Sequence, residues 1–370
     1  MRKVRYLFIW ILIGFLTACS SSEKPKQVDA IFNAFITPGT PGGAVAIFQN
    51  DRIVYEAGYG LADIEQRIPM TPQHIFQPGS IGKQFTAMTV MILDEQGKLD
   101  YDDPVSKYLP ELAHLGEGVT IRRLLHHTSG LTRNFHGGDL DDELLKKTQQ
   151  PTNRDLLALL SERAELEFQP GATYWYSNPG HQALASVVER MSGQPFHVFL
   201  KENIFDPLGM VNTFSAADPR RLSDPSMCHG YLYNASGLLE LYEIDPFLGL
   251  EGAAPVYTTL EDMYRYDQAL YTEKMVEQST LAEARRPLVL NNGREYPYGF
   301  ARQVGTYLGQ PYKAHSGGWL GFRSYYIRFP EKHLSVVLFL NFSFMPHGQD
   351  QWSPIEPELL GLQIARIYLK

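Results

Sequence analysis

An α+β fold is predicted for this chain: one antiparallel β-sheet assembled from its two ends, flanked by N- and C-terminal helices, with a large, mainly helical insertion between. Two β-type runs, Gly43–Gln49 and Ile53–Tyr59, stand close to the N-terminus around an Asn50-Asp51 turn. Four aromatic or β-branched runs, 296–304, 311–315, 321–329 and 334–342, crowd the last quarter, broken by Asn291-Asn292-Gly293, Gly309-Gln310 and Pro330-Glu331-Lys332. Between them nearly two hundred residues carry helical spacing instead. Two strands cannot bury a core alone, so the N-terminal pair is expected to join the C-terminal strands in one sheet.

In chain order, residues 30–36 read as a short amphipathic helix ended by Pro38-Gly39, and the first hairpin follows. A helix is expected to begin at Ser80, after the Pro78-Gly79 break, and to stop at Gly97. Runs 120–125, 154–163, 181–191 and 261–270 supply the insertion, separated by loops at 102–104, 137–142 and 243–246. The acidic stretch 139–143 reads as a solvated loop or a helix start. Residues 357–369 close the chain as an amphipathic helix. The sheet domain therefore comprises 29–95 and 290–370 and the insertion 96–289, with a site expected at their interface.

The chain has 370 residues, 44% hydrophobic and 20% charged, a composition suited to a globular protein. A formal charge of -8 with no Lys/Arg stripe argues against nucleic acid as a partner. Arg2, Lys3 and Arg5 precede an apolar run over 6–18, too short to span a bilayer and suited to a signal-peptide core, so residues 1–18 are expected to be removed. Leu16-Thr17-Ala18-Cys19 resembles the bacterial lipobox, which makes Cys19 the expected lipidation site and the membrane a partner through a lipid anchor. Residues 19–28 then read as a flexible tether, and Ser20 points to outer-membrane sorting where an outer membrane exists. With Cys19 lipidated, only Cys228 remains and no intramolecular disulfide can form. The expected location is the cell envelope.

Three motifs carry chemistry. Ser80 and Lys83 stand three residues apart at the predicted helix start, which puts the amine beside the hydroxyl. A serine hydroxyl is a poor nucleophile until its proton is taken, and a lysine kept neutral can take it. A second Ser-x-x-Lys match, Ser21 with Lys24, lies in a polar tail. Tyr176-Ser177-Asn178 precedes the 181–191 helix in a turn-forming context and can project a phenol and an amide into the cleft. His315-Ser316-Gly317-Gly318 ends a strand, where glycines let a backbone N–H approach a substrate oxygen.

In this order and spacing the motifs resemble those of the serine hydrolases of the class C β-lactamase and penicillin-binding-protein superfamily, which includes D-aminopeptidases and carboxylesterases. Two flanks share the resemblance: Leu124-Leu125-His126-His127-Thr128-Ser129-Gly130-Leu131, and Gly317-Gly318-Trp319-Leu320-Gly321-Phe322, which looks like the segment following the family's third motif. The resemblance implies a β-lactamase/transpeptidase-like fold and an acyl-enzyme on Ser80. Lys83 would accept its proton, alone or with Tyr176, whose phenol could return a proton to the leaving group. The N–H groups of Ser80 and Gly318 would form the oxyanion hole. Asn178, His315, Ser316 and Gly317 would bind substrate, a small molecule or peptide with a reactive carbonyl. No cofactor and no metal is implied.

One departure bears on substrate. Many β-lactamases begin the third motif with lysine, a fixed cation for a carboxylate, whereas His315 can be neutral at pH 7. That favours a D-amino-acid peptidase or an esterase, with a true β-lactamase or a non-catalytic, penicillin- or cell-wall-binding lipoprotein as alternatives. Arg323 is a candidate substitute cation. No Gly-x-Ser-x-Gly elbow and no His-Glu-x-x-His occurs, and adjacent His126 and His127 suit packing or capping better than metal binding.

Overall fold

The computed structural model describes residues 23–132, 139–163, 165–218, 223–233, 239–242, 245–254, 256–344 and 356–370. The readings placed on residues 1–22, the signal peptide and Cys19 among them, lie outside the described residues. Helix α1 spans Glu23–Asn33, so it starts inside the stretch read as a tether and before the 30–36 helix expected there. Its polar first turns hid it, because only tertiary contacts show which face is covered. Val28 and Phe32 are buried, Phe32 stacks on Tyr59 with ring centroids 4.4 Å apart, and Tyr59 donates to Asp29 at 2.8 Å.

Strands β1 (Gly43–Gln49) and β2 (Ile53–Tyr59) form the expected hairpin. Asn50 and Asp51 both take positive φ, 51° and 61°, as a tight turn between twisted strands requires. Helix α2 (Lys83–Glu95) follows a short 3-10 turn over Gly79–Gly82, so Ser80 sits in that turn and the α-helix starts three residues later than expected. The insertion contains helices Ile121–Leu125, Asp139–Lys147 and Asn153–Glu162, then α3 (Asn178–Ser192) and α4 (Leu260–Ala269). From residue 139 on, the acidic stretch is thus a helix start, not a loop.

The 96–289 segment is less helical than its spacing suggests. Gly230–Tyr233, Leu239–Tyr242 and Phe342–Phe344 build a separate three-stranded sheet, and Phe214–Ser215 pairs with Val256–Tyr257. Strands of two to four residues are too short to show alternation in sequence.

After the insertion come β3 (Tyr298–Gly299), β4 (Arg302–Tyr307), β5 (Gln310–Trp319), β6 (Phe322–Phe329) and β7 (Leu334–Leu340), and helix α5 (Pro357–Leu369) ends the chain. The single run expected over 296–304 is broken where Ala301 adopts a φ of 52°. All seven strands join one antiparallel sheet in the order β3-β4-β5-β6-β7-β1-β2, which brings the two chain ends side by side. Alternate residues face opposite layers. Val45, Ile47, Val336 and Leu338 pack under α1 and α5 with Phe32, Leu360 and Ile364, while Ala44, Ala46, Val337 and Phe339 pack under the α2 side with Phe85 and Met88. Both faces are covered, so β1 and β7 read as continuous apolar runs rather than alternating ones.

One ionic cluster fastens α4 to that sheet. Asp267 Oδ1 accepts from Arg328 Nε and Tyr326 Oη at 2.6 Å each and from Ser335 Oγ at 2.7 Å, all in the interior. Asp267→Ala leaves the Arg328 guanidinium buried without its carboxylate, and a loss of about 3–5 kcal/mol is expected in denaturant melts. A loss under about 1 kcal/mol would show that the cluster does not hold the insertion to the sheet.

Candidate active site

Ser80 is positioned by close packing between its turn and strand β5. Gly79 has a φ of 56°, and a Cβ there would come within 2.9 Å of the Gly318 nitrogen and carbonyl oxygen. A Cβ on Gly317 would collide with the Pro78 carbonyl, which also accepts from Ser324 Oγ at 2.6 Å. Glycine at 317 is therefore required by the approach of two backbones, and the first and third motifs meet through it.

Lys83 is wholly buried. Its Nζ lies 3.0 Å from Ser80 Oγ and donates to the Ala253 carbonyl at 2.7 Å. Burial drives its pKa well below the usual lysine value. A neutral amine with one N–H on Ala253 has its lone pair available for the Ser80 proton. The loop carrying Ala253 is itself held by Thr86 Oγ1, which donates to the Gly252 carbonyl at 2.7 Å.

The second motif forms the opposite wall. Ser177 caps α3, its Oγ accepting from the Gly180 N–H at 3.1 Å, which fixes Tyr176 and Asn178 on either side. Lys83 Nζ sits 4.9 Å from the centre of the Tyr176 ring, and the Tyr176 hydroxyl is buried. Burial pushes that phenol's pKa up, and a hydrogen bond with Ser80 opposes the rise. The ring also lies 6.2 Å from that of His315.

His315 is buried, and both of its nitrogens are engaged by protein: Nε2 lies 3.0 Å from the Tyr298 hydroxyl and Nδ1 donates to the Ser316 carbonyl at 2.5 Å. Burial, and then the nearby Lys83, push it down to about 3, so it is neutral at pH 7. Its ring braces the site rather than offering a charge to substrate. Arg323 Nη1 is spent on the Trp319 and Phe322 carbonyls at 3.0 and 2.8 Å, which leaves it ill suited to replace the missing cation.

The structure thus brings Ser80, Lys83, Tyr176 and the 315–318 strand segment together, with Asn178 two residues beyond Tyr176 at the start of α3. The Ala253 carbonyl was illegible in sequence, since any residue supplies one. His127 and Tyr298 also belong here: His127 lies in the Leu124–Leu131 signature noted above, and Tyr298 gave no signal beyond an aromatic run. His126 caps Ile121–Leu125 as expected of a packing residue. No group of three or more His, Cys, Asp or Glu arranged to hold a metal occurs among the described residues.

His127, His181 and His315 are all buried and held below the ordinary imidazole value, first by desolvation. Unfolded, each binds a proton near pH 6.5 that the folded protein refuses. Their contribution is therefore complete above that pH and is lost as pH falls toward the folded values, at about 1.4 kcal/mol per unit for each. A drop in Tm of roughly 10 °C is expected between pH 7 and 5. A Tm that stays level across that window would show that the three are not kept neutral.

Residues 28–355 match the family model described as Beta-lactamase. Penicillin-binding protein 4* of Bacillus subtilis (strain 168) is 30% identical over 339 residues, aligning with 86% of this chain and 72% of its own length. A D-aminopeptidase of Gluconobacter oxydans (strain 621H) is 29% identical over 311 residues, covering 82% of this chain but 56% of its own length. Among solved structures, the octameric penicillin-binding protein homologue from Pyrococcus abyssi superposes with a TM-score of 0.77 at 25% identity, over 96% of this chain and 77% of that one. With a buried lysine against a serine at the junction of sheet and insertion, and a family match along most of its length, this chain belongs to the beta-lactamase family and is a serine hydrolase of the beta-lactamase-related group.

Proposed function

We propose that the protein hydrolyses peptides or amides of D-amino acids, or small esters, in preference to β-lactams, through an acyl-enzyme on Ser80. The observation that carries this reading is the fully buried Lys83 amine, 3.0 Å from Ser80 Oγ and pinned on the Ala253 carbonyl. Lys83 Nζ takes the Ser80 proton as Oγ attacks the substrate carbonyl carbon. The oxyanion is received by the N–H groups of Ser80 and Gly318, and the Tyr176 phenol passes a proton to the departing nitrogen or oxygen. Water then attacks the acyl carbon as it gives a proton to the Tyr176 phenolate, and Lys83 returns its proton to Ser80 Oγ as the acyl–oxygen bond breaks. Neutral His315 and the internally bonded Arg323 leave the third motif without the fixed cation that a β-lactam carboxylate needs, which supports uncharged acyl and leaving groups. The similarity to a D-aminopeptidase supports the same substrate class.

The test is intact-mass spectrometry and turnover with a fluorophosphonate, a penicillin, a short ester panel and D-amino-acid amides. A single adduct on Ser80 with turnover of amide or ester is expected. Rapid penicillin turnover without amide or ester turnover would replace the reading by a β-lactamase, and no adduct from any reagent would replace it by a binding protein. We further propose that Cys19 carries a lipid that holds the enzyme at the cell envelope, in which case Cys19→Ser moves it from the membrane fraction to the soluble one. Unchanged membrane association would overturn that.

A further inference from the structure

A line of hydrogen bonds crosses the cleft beneath the reacting groups. The Ser177 N–H donates to His127 Nδ1 at 3.1 Å, His127 Nε2 lies 3.2 Å from the Tyr298 hydroxyl, and that hydroxyl lies 3.0 Å from His315 Nε2. His315 Nδ1 ends the line on the Ser316 carbonyl at 2.5 Å. His127, Tyr298 and His315 are each at most 5% exposed. Both ends of the line are backbone, and backbone groups cannot change roles. Because Ser177 can only donate, Nδ1 of His127 must accept, so a neutral His127 carries its proton on Nε2 and gives it to Tyr298. The Tyr298 proton is then left for His315 Nε2. From the far end, Ser316 can only accept, so His315 carries its proton on Nδ1 and Nε2 must be an acceptor. The two derivations agree, with one proton for each bond. A second proton on either ring would face another donor.

The two ends lie on the two walls of the site. Ser177 stands between Tyr176 and Asn178, and the His127 carbonyl holds the same turn a second time by accepting from the Trp175 N–H at 2.8 Å. Ser316 precedes Gly317 and Gly318 on β5. His127 adopts a φ of 58°, unusual for a residue with a side chain, so the backbone is bent to deliver this ring.

We propose that Ser177, His127, Tyr298, His315 and Ser316 form a proton-ordered strut that sets the separation of the Tyr176 wall from the Gly318 strand, with Tyr298 and His127 as its positioning residues. The strut acts without touching substrate. It fixes His315 in the neutral form protonated on Nδ1, and it accounts for a histidine in the third motif: a lysine ammonium there has no acceptor for the Tyr298 proton. The kinetic part of the proposal rests on the Ser80 chemistry proposed above; the proton order does not.

Long-range nitrogen NMR of the purified, histidine-labelled protein reads that order directly, with signals assigned from single His127 and His315 variants. Expected are His315 protonated on Nδ1 and His127 on Nε2. In Tyr298→Phe the Ser316 carbonyl should still hold the His315 proton on Nδ1, while kcat should fall roughly 10- to 100-fold with KM changed far less, as for a misplaced rather than missing group. His127→Gln retains an acceptor and a donor in order, so it should keep distinctly more kcat than His127→Leu. Wild-type His315 protonated on Nε2, an unchanged kcat in Tyr298→Phe, or equal loss in the two His127 variants would each overturn the strut. Should Tyr298→Phe fail to fold, the wild-type tautomers and the His127 pair still decide. Absent Ser80 labelling in the wild type would instead overturn the Ser80 chemistry and leave the tautomer result standing.

Discussion

Ser80→Ala is expected to lower turnover of the best amide or ester by roughly 10⁶-fold and to eliminate the fluorophosphonate adduct. The size follows from the chemistry: without Oγ no acyl-enzyme forms, and neither Lys83 nor Tyr176 is placed to attack a carbonyl in its stead. The fold should not register the change. The turn over Gly79–Gly82 is held by backbone approach to Gly318 and by the Ser324 bond to Pro78, and the Ser80 hydroxyl serves neither contact. Tm should therefore shift by no more than a few degrees. Full activity in a variant shown by mass to carry alanine would end the acyl-enzyme reading.

Lys83→Arg should cost about 10²- to 10⁴-fold in kcat/KM, the range for losing a positioned general base. Arginine keeps a cation and donors but never a lone pair, because the guanidinium stays protonated at any accessible pH. Lys83→Met, close in volume and uncharged, should be as inactive and better folded, since it puts no charge into a space that desolvates even the native amine. The pH profile separates the native base from an ordinary lysine. Burial drives the Lys83 pKa well below that of an ordinary lysine, so the fall in kcat/KM on the acid side should lie well below the pH at which a free lysine titrates. A rate that climbs steadily through pH 10 would assign the proton transfer to a group with an unshifted pKa.

Much of this was legible in residues alone, for identifiable reasons. The N-terminal hairpin and the last helix have the boundaries read for them, because a positive-φ Asn-Asp turn and a long apolar face are local signals. Ser80 with Lys83, Tyr176 with Asn178, and the glycines at 317 and 318 announced themselves by spacing. The misreadings share a different character. The first turns of helix α1, up to residue 28, read as a tether because their polar residues face water and the anchors Val28 and Phe32 acquire meaning only beside Tyr59 and α5. The two-residue strands of the insertion carry no period to detect.

By itself, then, the sequence determined which chemistry is available: a serine, an amine, a phenol and a glycine-lined strand, in an order that places them on three separate walls. Tertiary structure decided what those groups are worth. Lys83 is suited to the proposed role of base because folding removes all its water and gives it the Ala253 carbonyl, 170 positions away in the chain. His315 is neutral because burial, first of all, keeps a charge off a ring whose nitrogens meet only Tyr298 and the Ser316 carbonyl in the interior. Residue types and spacings are local properties, whereas desolvation and proton order depend on which distant backbone comes to lie against a side chain, and only the packed fold supplies that.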